Sequence, residues 1–299
     1  MEKDRDNLAL AITVIVLTVL TLSFGDAIIK TLSADLVLWQ IFVLRSLVAI
    51  PLLLILLHAQ FPGVSLVPKS LGWTSVRSLM LALMWVAYYA SLPHLQLSIA
   101  AAAYYTLPIF IALFSAVLVG EPVSRAGWLA VLLGFVGTLL ILKPATDAFN
   151  LYALLPVVSA ILYALAMILT RTKCRDEHPL VLSATLNVTF ILIGLFATVV
   201  GNIAGDTGDS SAFMSPNWAP MDSNEFAAIG LLGIAILVAS IGTAIAYQNG
   251  PSSVVATFDF SYVGFAVIWG LIFFGELPDL VSLSGMLLIV IAGIVSIRQ

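Results

Sequence analysis

Three ionisable side chains lie inside long apolar stretches of this chain: Asp26, Arg45 and Asp259. Charges at such positions are costly and usually have a partner or a function. Asp26 stands four residues before Lys30, so a local ion pair and a functional acid are both open interpretations. Arg45 has no partner nearby in the sequence and either ties two helices together or contacts a solute. Asp259, the deepest acid, suits proton coupling or amine binding, or else a structural hydrogen bond.

Aromatic side chains follow helical spacing in the same stretches. Trp85, Tyr88 and Tyr89 are spaced i, i+3 and i+4, so they share one helix face. A buried tyrosine hydroxyl needs a partner, which a polar cavity or a bound solute supplies, although any one ring could equally pack between helices. The residues that we predict to bind a solute are Trp85, Tyr88, Tyr89, Tyr104, Tyr163, Asp259, Tyr262 and Trp269. We predict Asp26 and Arg45 to be polar intramembrane residues.

The composition indicates which elements position these residues. Of the 299 residues, 61% are hydrophobic and 9% are charged, with a mean hydropathy of +1.12. Soluble globular chains are about 45–50% apolar and about 25% charged. A membrane helix needs roughly 20 apolar residues, and the chain has ten such windows, near 8–30, 36–58, 70–92, 95–119, 126–143, 149–170, 179–201, 225–248, 252–274 and 280–298. Because lipid cannot hydrogen-bond to an open backbone, we predict an all-α membrane protein with ten transmembrane helices.

Sequence motifs for catalysis are absent. No His-Glu-x-x-His, Gly-x-Ser-x-Gly or Gly-x4-Gly-Lys-Ser/Thr motif occurs, so we predict neither an enzyme nor an ATP-driven pump. We expect no cofactor and no metal. The single cysteine, Cys174, offers no disulfide framework.

Basic residues predict the orientation of the helices. With a cytoplasmic N-terminus, only Lys30 and Lys143 fall on the outer side. Nine others fall on the cytoplasmic side: Lys3, Arg5, Lys69, Arg77, Arg125, Arg171, Lys173, Arg175 and Arg298. Cytoplasmic connections are enriched in Lys and Arg, so both termini are predicted to be cytoplasmic. The connection 201–224, which is rich in Gly, Ser, Asn and Pro, is then extracytoplasmic, and we expect it to be mobile.

Two segments of the chain repeat each other at a distance of 155 residues. Residues 100–122 read AAAAYYTLPIFIALFSAVLVGEP, and residues 255–277 read VATFDFSYVGFAVIWGLIFFGEL. Five predicted helices in each half are an odd number, so the two halves must cross the membrane in opposite directions. We therefore predict two inverted repeats, residues 8–143 and 149–298. Glu121 and Glu276 are read as helix-end carboxylates that cap the following helix.

Pro108 lies within the first of these segments and lacks the backbone donor of an unbroken helix. The low side-chain bulk of Ala100–Ala103 before it allows close helix approach. We expect a kink here that acts as a hinge.

Two five-helix halves, each with Gly-Glu at the end of its fourth helix, resemble the drug/metabolite transporter superfamily of the EamA type. The resemblance covers essentially the whole chain. Arg45, in Val-Leu-Arg-Ser-Leu-Val-Ala, is similar to the second-helix arginine of that family, and Gly127 and Gly134 are similar to its fifth-helix glycines. The second half departs from the pattern, because residues 179–201 contain no arginine and Val263 stands where the first half has Pro108.

The resemblance implies a secondary transporter that exports small organic solutes by alternating access through a midplane cavity. Within the superfamily the chain is most similar to aromatic amino-acid exporters, which implies aromatic and other apolar amino acids as substrates. A single deep cation, Arg45, argues against phosphorylated substrates. A broader drug or metabolite exporter is the alternative, and a channel or sensor is the alternative of another class. We expect a bacterial inner membrane as the location and the lipid bilayer, not nucleic acid, as the partner; a monomer suffices.

Overall fold

The computed structural model describes residues 7–32, 35–61, 63–91, 94, 103–142, 152, 154–204, 212–275 and 280–296. Within these ranges the regular structure is entirely helical. The helices are α1 (Leu8–Leu32), α2 (Leu38–Gln60), α3 (Leu71–Ser91), α4 (Leu107–Phe114), α5 (Arg125–Leu142), α6 (Leu154–Thr172), α7 (Pro179–Ala204), α8 (Ser223–Asn249), α9 (Ser252–Asp259), α10 (Ser261–Phe274) and α11 (Leu280–Ser296). A π-helical turn, Ser115–Val119, extends α4, and a short 3-10 helix, Ala212–Met214, precedes α8.

The outer surface of the bundle is apolar. Phe196, Ile203 and Leu280 are 69%, 80% and 84% exposed, and surface of this kind suits contact with lipid. In the described ranges, six stretches are long and apolar enough to cross a membrane: Leu8–Ile29, Leu38–Gln60, Leu154–Thr172, Pro179–Ile203, Ser223–Asn249 and Ser252–Phe273. Leu107–Val119, Arg125–Leu140 and Leu283–Val295 are shorter apolar helices. This agrees with an all-α membrane fold, while the number of ten spans stays a prediction.

Two helices are interrupted at positions 155 residues apart. The predicted helix 252–274 is not continuous, because a turn at Phe260 separates α9 from α10. In the first half, a turn at Tyr105 and Thr106 precedes α4. Pro108 therefore lies in the first turn of α4, directly after the interruption, where its missing N–H costs little. Ala100–Ala102 lie outside the described residues.

The glycine of the Gly-Glu pair ends its helix in the same way in both repeated segments. Gly120 has φ 74° and ψ 18°, and Gly275 has φ 67° and ψ 18°. This left-handed conformation is easy for glycine and strained for other residues, which explains why both segments end in Gly. Glu276, which follows Gly275, lies outside the described residues.

The helices pack in pairs that recur between the two predicted halves. The most extensive contacts join α5 to α11, α1 to α8 and α3 to α6. If the two halves are copies of each other, α1 corresponds to α6, α3 to α8 and α4 to α10. The pair α1–α8 then corresponds to α6–α3, and the pair α1–α10 corresponds to α6–α4. All four pairs are present. At the α5–α11 contact, a Cβ on Gly137 would lie 2.7 Å from the Gly285 carbonyl oxygen, so small residues set the close approach.

Connections from both halves meet at one end of the bundle. Glu177, between α6 and α7, accepts hydrogen bonds from the backbone N–H groups of Lys69 (3.1 Å) and Ser70 (2.5 Å). Gln248, near the end of α8, donates to the carbonyl oxygens of Cys174 (2.7 Å) and Glu177 (2.8 Å). We call this region, residues 61–70, 120–124, 173–178 and 248–251, the Glu177 end. Our orientation places all these connections in the cytoplasm; the side of the membrane stays a prediction.

The described part of the predicted mobile connection, residues 212–222, is held in place at the opposite end. Trp39 Nε1 donates to the Met214 carbonyl oxygen at 3.1 Å. Gln40 both donates to the Ala219 carbonyl oxygen (2.9 Å) and accepts from the Ala219 N–H (3.0 Å). Side chains at the start of α2 therefore hydrogen-bond this part of the connection to the bundle, while its mobility stays a prediction.

Candidate functional site

A cavity of about 210 Å³ lies inside the helix bundle. Its wall is mainly apolar, with Leu81, Met84 and Ile236 among the lining residues. Side chains of α1 and α3 face side chains of α6, α8 and α10 across it, so both predicted halves contribute. Six of the eight predicted solute-binding residues line the cavity, together with Asp26: Trp85, Tyr88, Tyr104, Tyr163, Asp259 and Tyr262.

Tyrosine rings form a continuous aromatic section of the wall. The Tyr104 ring centroid is 5.2 Å from that of Tyr88 and 6.5 Å from that of Tyr163. Trp85 stacks on Tyr89 with centroids 5.3 Å apart and planes inclined by 19°. Tyr89 is buried behind Trp85 and does not itself line the cavity. The wall thus offers flat apolar faces together with hydroxyl groups.

Asp26 joins the two predicted halves. Its carboxylate accepts a short hydrogen bond from the Tyr262 hydroxyl of α10 and a long one, 3.5 Å, from the Tyr89 hydroxyl. Arg45 lies within electrostatic reach of it. The predicted local pair with Lys30 lies outside the described residues, since the Lys30 side chain is not among them. Asp26 is therefore a hydrogen-bonded part of the cavity wall.

Asp259 occupies another part of the wall and has fewer partners. One carboxylate oxygen accepts a hydrogen bond from the Tyr247 hydroxyl at 2.6 Å, and the side chain is 5% exposed. In the described part of the chain, no cation pairs with it. The structural hydrogen bond that we considered is present, and the carboxylate also borders the cavity.

Arg77 is a lining residue that the sequence reasoning missed. We counted it only among the basic residues of the cytoplasmic side, but it lies six residues into α3 and is 1% exposed. Arg45 is consequently not the single deep cation, which removes that argument about substrates. The position of Arg77 could have been predicted from the sequence. Helical spacing places it on one face of α3 with Leu81, Trp85 and Tyr88.

Besides Tyr89, the predicted residues Arg45 and Trp269 lie outside this cavity. The Arg45 guanidinium packs against the adjacent rings of Phe42 and Phe190, 4.7 Å and 4.5 Å from their centroids. Trp269 Nε1 donates to the Leu20 carbonyl oxygen at 3.3 Å, and its ring packs against Phe24 at 5.0 Å. Both therefore join helices to one another.

Comparison with known proteins identifies the kind of molecule that holds this cavity. Residues 9–143 match the model of the EamA-like transporter family. The pseudopaline exporter CntI of Pseudomonas aeruginosa is 29% identical over 288 residues, which cover 96% of this chain and 95% of that protein. The chain belongs to the EamA-like transporter family. It is accordingly an integral, multi-pass membrane protein of the drug/metabolite transporter superfamily.

Further similarities of this EamA transporter are more partial or concern the fold. A riboflavin transporter of Rhizobium johnstonii is 31% identical over 215 residues, which cover 72% of this chain and 65% of that protein. A solved crystal structure superimposes with a TM-score of 0.78 over 97% of this chain and 98% of that one, at 17% identity. That likeness concerns the fold alone.

Glu121 of this EamA transporter does not cap the following helix, contrary to our interpretation. Its carboxylate accepts from Arg171 Nε of α6 at 3.0 Å and from the Ser115 hydroxyl at 3.3 Å. The start of α5 is capped instead by Ser124, whose hydroxyl accepts from the Gly127 N–H at 3.0 Å. Glu121 thus ties the first half to the second at the Glu177 end.

Proposed function

We propose that this EamA transporter exports small organic solutes by alternating access, and that its substrates are aromatic and other apolar amino acids. One observation carries the proposal: a cavity between the two predicted halves combines a tyrosine-rich wall with the carboxylate of Asp259. Aromatic faces suit an apolar side chain, and a carboxylate with one hydrogen-bond donor suits an ammonium group. The relatives that export pseudopaline or transport riboflavin support small organic solutes in general.

The cavity volume supports a solute of metabolite size. Pockets for drug-sized ligands measure about 300–1,000 Å³, whereas this cavity measures about 210 Å³. A bulky multidrug substrate would have to enlarge it. Amino acids therefore fit better than large drugs, and a broader metabolite exporter is the nearest alternative.

The mechanism follows from an inverted repeat of residues 8–143 and 149–298. In it, the hairpins 70–119 and 225–274 rock about the cavity and open it to opposite sides of a bacterial inner membrane. The Glu121–Arg171 pair and the Gln248 hydrogen bonds would hold the Glu177 end closed in the described conformation. Pro108, at the start of α4, is the proposed hinge. A Pro108→Ala variant is expected to transport more slowly with unchanged affinity, and a normal rate would remove the hinge from the mechanism.

The experiment is counterflow of labelled phenylalanine, threonine and methionine in proteoliposomes, with and without a pH gradient. We expect exchange of phenylalanine and methionine. Absence of exchange for every amino acid would refute the substrate assignment, and exchange of unrelated metabolites instead would favour the broader exporter. Ion conductance without saturable exchange would indicate a channel.

Two tryptophan variants localise the site. Trp85→Ala removes a ring from the cavity wall and is expected to raise the apparent KM for phenylalanine roughly tenfold. Trp128→Ala is the matched control, because Trp128 is 40% exposed on α5 and does not line the cavity. Equal effects of the two substitutions would mean that this cavity is not the binding site.

A further inference from the structure

We propose that Arg77 binds the carboxylate of the solute while Asp259 binds its ammonium group, so that the transporter selects zwitterions with a free carboxylate. This inference rests on the proposed function and makes its substrate class more specific. It assigns a role to Arg77, which the sequence reasoning had placed outside the site.

Arg77 is a buried cation without a carboxylate partner in the described structure. Nε donates to the Thr170 hydroxyl at 2.7 Å, while Nη1 is buried and has no hydrogen-bond partner among the described residues. Thr170 in turn donates to the Ala166 carbonyl oxygen at 2.8 Å, which fixes its lone pairs toward the guanidinium. A buried, unpaired guanidinium is strongly unfavourable. An anionic group of the solute in the cavity would supply the missing partner.

Arg77 and Asp259 lie at similar distances from the starts of their helices, and both line the cavity. Both α3 and α9 begin at the Glu177 end, α3 just after Ser70, which bonds to Glu177, and α9 just after residues 248–251. Arg77 is six residues into α3 and Asp259 is seven residues into α9. At about 1.5 Å of rise per residue, these positions lie roughly 9 Å and roughly 10.5 Å from the helix starts. A cation of α3 and an anion of α9 thus border one cavity.

Tyr163 is a neighbour of both charged groups in the cavity wall. It is within electrostatic reach of both Arg77 and Asp259, and it lies beside Tyr247, whose hydroxyl donates to Asp259. The ammonium and the carboxylate of an α-amino acid are attached to one carbon, so a cavity bordered by both an anion and a cation suits them. The solute side chain would then extend along Tyr104 and Tyr88 toward Trp85.

Arginine is suited to this role because its planar fork matches a carboxylate with two parallel hydrogen bonds. A solute that carries only an ammonium group would leave Arg77 unpaired. We therefore expect an amino-acid amide or a decarboxylated amine to bind at least about tenfold more weakly than the amino acid.

The experiment measures inhibition of labelled phenylalanine counterflow in proteoliposomes by phenylalanine, phenylalanine amide and phenylethylamine. Wild type is expected to discriminate against the amide and the amine at least about tenfold. Arg77→Gln should lower the affinity for phenylalanine to that for the amide and so abolish the discrimination. Arg77→Lys should restore part of it, because a charge remains but the fork is lost.

Two control variants separate substrate contact from a structural role. Thr170→Val removes the Nε acceptor but leaves Nη1, and it is expected to retain the discrimination. Arg125→Gln makes the same chemical change at an exposed position at the start of α5 and should behave as wild type. If Arg77 only supports the fold, Arg77→Gln and Thr170→Val will weaken phenylalanine and its amide alike.

The wild-type inhibition ratio decides the matter even if Arg77→Gln fails to fold. If the amide inhibits counterflow of labelled phenylalanine as strongly as unlabelled phenylalanine does, this inference is overturned and the proposed function is left intact. Absence of counterflow for all amino acids would overturn the proposed function and this inference with it.

Discussion

Tyr105 and Phe260 stack on each other at the two points where helices are interrupted. Their ring centroids are 6.5 Å apart with planes inclined by 23°, and the residues are 4% and 0% exposed. They are also 155 residues apart, so each occupies the same position in its copy of the repeated segment. The interruptions of the two predicted halves therefore meet through a pair of equivalent aromatic rings.

The Phe260 ring leaves no room beside Gly134 of α5. A Cβ at position 134 would lie 2.4 Å and 2.6 Å from two ring atoms. Gly134→Ala should therefore displace a fully buried ring and destabilise the fold by about 1–3 kcal/mol. Thermal unfolding of the purified transporter in detergent measures this effect.

Gly230→Ala on α8 is the control for that substitution, because no atom lies within 4 Å of a Cβ built there. We expect an unchanged or slightly raised unfolding temperature, since alanine is the better helix former. Equal destabilisation by Gly134→Ala and Gly230→Ala would show that contact with Phe260 is not the cause.

Cys174 is a native reporter of opening at the Glu177 end. It is the single cysteine of the chain, is fully buried, and its carbonyl oxygen accepts from Gln248. Gln248→Ala removes two hydrogen bonds there and should raise the rate of maleimide labelling about tenfold or more. Gln60→Ala, at the exposed end of α2, is the matched control and should not change the rate.

The rate of Cys174 labelling should also rise with pH over a higher pH range than the rate for a free cysteine. Burial raises the pKa of the Cys174 thiol above that of a free cysteine, partly offset by the charge of Arg77. Because the thiolate is the reactive form, less of it is present at a given pH. The labelling rate should still be rising at pH values where a free cysteine has levelled off; a plateau at the free-cysteine pH would contradict the buried environment.

The two cavity carboxylates should respond differently to amide substitution. Asp26 has two tyrosine donors and Arg45 within electrostatic reach, whereas Asp259 has one donor and no described cation. A buried carboxylate without a counter-ion can exchange protons during transport. Asp259→Asn should therefore abolish stimulation by a pH gradient, while Asp26→Asn should lower the rate and keep the stimulation ratio. Unchanged transport by Asp259→Asn would refute the coupling role.

Arg45 should affect stability more than transport affinity. Its guanidinium faces two aromatic rings, and cation–π contacts contribute about 0.5–2 kcal/mol each. Arg45→Lys loses the planar face and is expected to lower stability by about 1–2 kcal/mol without changing the apparent KM. Phe190→Leu should have a similar effect. A changed KM with unchanged thermal stability would instead support the alternative that Arg45 contacts the solute.

Much of the molecule was predictable from local patterns. Apolar windows indicated the helices because lipid exposure and backbone hydrogen bonding act on each window separately. The Gly120 and Gly275 helix ends followed from the repeated segments, since left-handed backbone favours glycine wherever it occurs. Helical spacing likewise brought Trp85 and Tyr88 to one cavity-lining face of α3.

Other features were not readable because they depend on partners distant in the sequence. Glu121 looked like a helix cap until α6 brought Arg171 to it, 50 residues later. Arg77 was counted as one of the cytoplasmic basic residues, because a count of Lys and Arg on each side does not distinguish an exposed residue at a helix end from one buried inside the bundle. Tyr89 and Trp269 share spacing with cavity residues, yet helix rotation turned them toward other rings.

The sequence by itself determined the helical membrane character, the repeated segments and the set of aromatic and acidic residues from which a site could be built. Only the tertiary structure decided that Arg77 and Asp259 line one cavity, that Tyr262 of α10 donates to Asp26 of α1, and that Arg45 packs against two adjacent phenylalanine rings. The physical reason is that helix formation in lipid is a local requirement of the backbone. The pairing of buried polar groups is instead settled by which helix faces meet.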